Sequence, residues 1–397
     1  SKKPIVEINL RSVGPVRVTP HAFEKPCKPN HRRANSSKSH IYFRRFPGYN
    51  AIGYQPLHLQ QRAAGQRSLN NPNESSVMKF NWLSSRVTPL LLGACLATQA
   101  ATTNSWFLNT DGNWNDPANW DPEGVPNGVS SMAILTNGLA TTTFVTNDTS
   151  VTLGSLWIGP ANTANSFTIT NEFPENNLVF DNGGNGAELI QLIPASSSGY
   201  DRIYPPVVLA DNLLITNVGP KYVALHGEIT EINGPKSITK AGNGNLQLAS
   251  TANTFSGGVV VKAGGLTAAG NRAGTGPITI GNISGTDNVQ VFGSGTYTNA
   301  IIVAAGSTGT KTIRAAGTSA NVTFSGPIQL DGTLTVHGQT STRHNSVSGP
   351  ISGDGAIRVT GSTSGTTPPY STLSGANSFA GGVTLESGNF RAGTDTA

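Results

Sequence analysis

Charge is scarce in this chain. Asp, Glu, Lys and Arg together make up 12% of its 397 residues, about half the ~25% of an ordinary soluble domain. That argues against a helical bundle, whose solvent faces are written in Glu, Lys and Arg. Cysteine is nearly missing: Cys27 and Cys95 are the two present, so no disulfide framework can hold a small fold together. Of seven histidines, three (His226, His337 and His344) lie beyond residue 100. They are scattered, and no H-x-x-x-H spacing offers a metal site. Gly361-Ser-Thr-Ser-Gly365 carries Thr363 where a nucleophile elbow needs Ser. The strongly apolar stretch Val87–Ala97 is too short to cross a bilayer core of ~30 Å as a helix. These absences leave no catalytic residue, metal ligand or cofactor to nominate.

What is abundant is the palette of short strands and tight turns. Glycine numbers 47, and Thr, Ser, Asn and Val fill much of the rest. Leu, Ile, Val and Phe recur throughout, which speaks against wholesale disorder. The net charge of +5 conceals a division. Residues 1–77 hold 13 Lys and Arg against 3 acids, a net of +10, whereas residues 101–397 hold 11 against 18, a net of −7. A nucleic-acid partner read from the whole-chain charge would average two unlike segments, and no nucleic acid is expected.

The basic arm 1–77 has no sustained apolar period and is rich in Pro, Arg, Asn, Gln and Ser. It reads as a disordered, non-native extension ahead of a true start at Met78. Residues 78–100 read as a secretory signal: Lys79 and Arg86 give a positive start, the apolar stretch follows, and small residues at Ala97 and Ala100 suit signal peptidase. Cleavage is expected near Ala97–Ala101. A second option is a lipobox at Leu92-Gly93-Ala94-Cys95, with the lipid on Cys95. Cleavage at Ala100 leaves a product without cysteine, which suits an exported chain.

Three of the five tryptophans, Trp106, Trp114 and Trp120, fall within 101–130 among Asp, Asn, Pro and Gly. They fit an N-terminal cap over the first strands of a repeat domain. The alternative is a carbohydrate-binding module in which the three rings lie exposed in a row and stack on sugars. Asp111-x-Asn113-x-Asn115 begins like a calcium loop, but Asp116 stands where that loop needs Gly and Pro122 where it needs Glu.

From residue 131 onward, apolar runs of three to six residues alternate with turn dipeptides such as Asn182-Gly183 and Asp331-Gly332. Two segments repeat. In 242–266 stand Asn253, Phe255, Gly257, Gly258 and Val259; in 371–391 stand Asn377, Phe379, Gly381, Gly382 and Val383. The offset is 124 throughout. One strand–turn–strand unit cannot bury its apolar face alone, so units must stack about 4.8 Å apart around a shared core. At ~20–25 residues per turn a dozen turns are expected. Phe255 and Phe379 should point inward at equivalent rung positions, with Gly-Gly making the corner after each.

The segment Gly244-x-Leu246-x-Leu248 … Asn253-Thr254-Phe255-x-Gly257-Gly258-x-x-Val261-x-x-Gly264-x-Leu266 resembles the autotransporter-associated β-strand repeat. The second copy has Phe390 where that pattern ends in Leu. The series Trp106, Gly112-Asn113-Trp114, Ala118-Asn119-Trp120 and Pro126-Asn127-Gly128 is similar to the start of long repeat proteins exported by Gram-negative bacteria. The resemblance implies a right-handed parallel β-helix, an all-β solenoid over 131–397. It also implies secretion to the cell surface or beyond, and an adhesive or structural role without catalysis. The chain stops within a repeat, so the expectation is a truncated C-terminus whose missing part would connect to the outer membrane. The expected partner is a cell-surface or extracellular polysaccharide. A β-helix enzyme that degrades polysaccharides is a further alternative, and would require acids from several turns converging on one face.

Overall fold

The structure is a computed structural model that describes residues 100–161, 165–192, 200–220, 222–316, 321–339, 343–361 and 370–393. The basic arm, Cys95 and Ala97 lie outside the described residues; Ala100 is the first of them and is exposed. The chain climbs as a parallel β-solenoid of about ten turns. Each turn passes along three sides, and most turns lay down one short strand on each. Two sides form continuous 12-stranded sheets. The first sheet contains strands from Thr103–Trp106 to Ile351–Gly353, and the second contains those from Gly112–Asn113 to Val383–Leu385. The third side divides into a four-stranded sheet, Val151–Leu153 to Ile229–Glu231, and a five-stranded one, Gly295–Tyr297 to Asn389–Ala392. Between them the third side is carried by irregular backbone, including Asn253 to Phe255. The one helical element among the described residues is a 3₁₀ turn, Pro117–Asn119.

The reason is visible in the alternation. Strands as short as Val259-Val260-Val261 or Ile278-Thr279-Ile280 place positions one and three inward and position two outward. In parallel register the inward residues stack on their own kind: Val259 on Ile278, Ile278 on Ile301, Ile301 on Ile328 and Ile328 on Ile351, all buried. β-Branched side chains fit this pleated stack, and each one taken out of water contributes roughly 1.5–3 kcal/mol. The separation of register partners varies, from 19 residues for Val259 and Ile278 to 34 for Thr168 and Arg202. The corners absorb that variation while the sides keep their stacking.

Side-chain amides hold the corners. Asn253 accepts from Ile229 N–H at 2.8 Å on the turn before and donates to Arg272 C=O at 2.6 Å on the turn after. The Gly-Gly that follows has two separate jobs. A Cβ on Gly257 would lie 2.4 Å from the Lys236 carbonyl carbon, and Gly258 has φ +81°, a region that L side chains avoid. Gly381 and Gly382 repeat the pair, with a Cβ on Gly381 meeting Gly355 O at 2.5 Å and φ +71° at Gly382.

The register of the two repeats differs from the expectation. Phe255 is fully buried on the third side, where Thr254 N–H donates to Ile229 C=O. Asn377 instead pairs with Ile351 of the first sheet, and Phe379 beside it is half-buried. The offset of 124 residues therefore equals five turns and one further side. The three sides use the same strand–corner unit, so a repeat can occupy any of them without violating its local geometry.

One of the polar side chains that point into the core is a lysine. Lys240, fully buried in Ile238–Ala241, donates from Nζ to Ala241 C=O and Gly242 C=O at 2.7 Å each, and to Ala263 C=O at 3.3 Å. Burial pushes its pKa down to about 7.

Candidate functional site

The three tryptophans do not form a sugar-stacking surface. Trp106, Trp114 and Trp120 are all buried. Trp106 meets Trp120 edge-on at 5.2 Å and Trp114 meets Trp120 at 4.9 Å. The strand Trp120–Asp121 folds back antiparallel on Thr103–Trp106, placing Trp120 against Trp106. Trp114 Nε1 donates to Pro126 C=O and Trp120 Nε1 to Trp114 C=O. Rings packed on one another at the first turn have no face left for a ligand, so the stacking alternative is overturned.

The outward positions of the two long sheets differ. On the first sheet they are mainly apolar or small: Ile134, Trp157 and Ile190 lie in register, followed by Thr216 and Ala241. On the second sheet they carry rings, amides and guanidinium groups. Parallel register sets Tyr200 on Tyr222 with centroids 4.9 Å apart, and Arg202 lies 4.9 Å over the Tyr200 ring. Tyr204 stacks on His226 at 4.5 Å. Further along, Phe292 occupies an outward position yet is buried, because Gly265 on the turn before leaves it room and Arg314 covers it at 4.7 Å.

Arg314 begins the densest polar cluster of this surface. Its Nε donates to Gln290 Oε1 at 2.8 Å and its Nη1 to Gln339 Oε1 at 3.1 Å. The same Gln339 oxygen accepts from Arg343 Nη1 at 3.0 Å. His337 pairs in register with Arg314, and its Nδ1 lies 2.9 Å from Thr360 Oγ1. Burial lowers the pKa of Arg314, with Tyr222 opposing and Arg343 adding to that shift. Burial and then Arg314 lower that of His337; burial and then Arg202 lower that of His226. Both imidazoles are therefore neutral at pH 7, and the arginines carry the positive charge.

Clefts flank this surface. One of about 490 Å³ runs along the corner entering the second sheet, lined among others by Asn243, Gln290, Thr310 and Thr312. The next, about 270 Å³, shares Thr310 and continues to Thr335 and Arg358. Amides and hydroxyls line the first, with the carboxylate of Asp287, and hydroxyls line the second, with Lys311 and Arg358. Among the described residues one salt bridge forms, Arg358–Glu386, and no three His, Cys, Asp or Glu side chains are placed to share a metal ion. The buried carboxylate of Asp201 faces inward, accepting from Phe167 N–H and Gln191 Nε2.

The residues singled out as repeat markers, Asn253, Phe255, Gly257 and Gly258, are corner and core elements. Sequence reasoning missed Tyr200, Tyr204, Tyr222 and His226. Their signal was a Tyr-x-x-x-Tyr at 200–204 answered 22 residues later by Tyr-x-x-x-His at 222–226, one turn of the coil. Comparison with protein-family models, curated proteins and solved structures finds no match to this chain.

Proposed function

We propose that this chain is an exported surface or extracellular repeat protein of autotransporter passenger type, a structural and adhesive scaffold without catalysis. The observation that carries this reading is the division of labour in the coil. Inward positions are spent mainly on a continuous apolar stack, while the guanidinium groups of the two long sheets lie on the outside of one of them. A scaffold that adheres needs a long, regular surface. An enzyme needs convergent acids, and the carboxylates here are dispersed. The strand-repeat motif at 242–266 and the signal-like stretch 78–100 support export, a polysaccharide partner and an outer-membrane connection, with no role for nucleic acid.

The test is expression from Met78 in a Gram-negative host, followed by fractionation and N-terminal sequencing. The expected product is exported and begins within Ala97–Ala101, or at Cys95 if lipidated. A cytosolic product that retains Met78 would refute the reading.

A further inference from the structure

We propose that the outside of the second sheet binds an acidic, carboxylate-bearing polysaccharide laid along the solenoid axis, with one carboxylate seated between Arg314 and Arg343. This deepens the adhesive reading and rests on it for the polymer's location outside the cell.

The geometry at Gln339 is the starting point. Two guanidinium groups approach one neutral oxygen, at 3.1 and 3.0 Å, and neither has a carboxylate partner among the described residues. Like charges held that close repel unless an anion joins them. Arg343 Nε adds a second, independent observation: it is buried and makes no hydrogen bond. A buried guanidinium donor left unmade is costly. A carboxylate is the group whose two oxygens match the fork of such donors.

The surroundings fit a sugar polymer. No carboxylate occupies an outward position on the described strands of the second sheet. Gln290, Thr312 and Thr335 offer amide and hydroxyl partners on successive turns beside the clefts. Arg202, without a carboxylate partner among the described residues, supplies a second positive point five strands away in the sheet order, roughly 24 Å at the spacing of paired strands. An extended chain reaches both points and a monosaccharide reaches one. Nucleic acid is the poorer match. Its dense phosphates need many cations, whereas residues 101–397 carry a net of −7. The rings of this surface also lie stacked on one another rather than open to bases.

The experiment is titration calorimetry of the full chain with polygalacturonate of graded length, a neutral β-glucan and a single-stranded oligonucleotide. Polygalacturonate should bind, more tightly as length increases and more weakly in salt. The glucan and the oligonucleotide should not. Arg314→Gln with Arg343→Gln should weaken binding about tenfold or more. Arg314→Lys with Arg343→Lys, which keeps charge but loses the fork, should fall between. Arg391→Gln, on the third side over Tyr370, should bind as the parent does, and circular dichroism checks that each variant retains its strands. If the double Gln variant loses its strands, the Lys pair and the ligand series decide alone. No binding of polygalacturonate by the folded chain overturns the proposal, even when fractionation shows export. Equal affinity in the Gln or Lys pair, or a preference for the oligonucleotide, overturns it as well.

Discussion

The first and second sheets share one interior and differ outside. Inward, both stack buried aliphatic residues turn upon turn, Val259 on Ile278 in one and Leu246 on Leu266 in the other. Outward, the first sheet shows Ile134, Trp157 and Ile190, whereas the second shows Tyr200, Arg202, Arg314 and His337. The solenoid constrains what faces the core and leaves the outward residue free, because an outward side chain touches little beyond its neighbours one turn away. A difference between two exteriors on the same frame is therefore where function is written.

The largest effect should come from breaking what the two sheets share. Phe255→Ala removes a fully buried ring and should cost ~3–5 kcal/mol. Hydrogen exchange should loosen around residues 240–270 and leave 371–391 protected, because a solenoid transmits strain to its neighbouring turns. Uniform loosening would mean a globally cooperative unit.

The buried lysine, Lys240, comes next. Its ammonium has a folded pKa of about 7 against an ordinary 10.5, so between those values the unfolded chain binds the extra proton. Stability should then rise with pH from 7 to about 10. Lys240→Met should flatten that rise in thermal melts; an unchanged slope would remove Lys240 as its source.

Histidine titration separates the two exteriors. His226 faces Tyr204 and Arg202, and His337 faces Arg314 and Thr360. Both pKa values lie below 6.5, so these groups gain a proton more readily in the unfolded chain. Stability falls as pH drops below 6.5, while affinity for polygalacturonate rises as the surface gains positive charge. His337→Gln should blunt the rise in affinity, and a calorimetric pH series from 7 to 5 would detect it.

The smallest effects belong to single outward positions. Arg202→Gln should weaken polymer binding a few-fold and short-oligomer binding hardly at all. Trp157→Ala, on the first sheet, should leave both unchanged. A loss of binding in Trp157→Ala would move the site to the other sheet.

Much of the frame was legible because its grammar is local. Alternation within three-residue strands, Asn253 at a corner and Gly257-Gly258 after it are properties of adjacent residues. The phase of the repeats was not: Phe379 has the same neighbours in sequence as Phe255, and only the sum of uneven turns puts it on another side. The tryptophans were ambiguous for a different reason. A cap and a sugar platform use the same residues, and the choice depended on Trp120 folding back onto Trp106. The Arg314–Gln339–Arg343 cluster joins one turn to the corner of the next. With register partners 19 to 34 residues apart, no spacing rule could bring those side chains together in advance.

Hydroxyl-radical footprinting of the full chain, with and without polygalacturonate, tests the contrast between the exteriors most directly. The account predicts reduced labelling at Tyr222 and His337 on the second sheet, with Ile134, Trp157 and Ile190 on the first sheet unchanged. Protection confined to the first sheet, or shared equally by both, would contradict it.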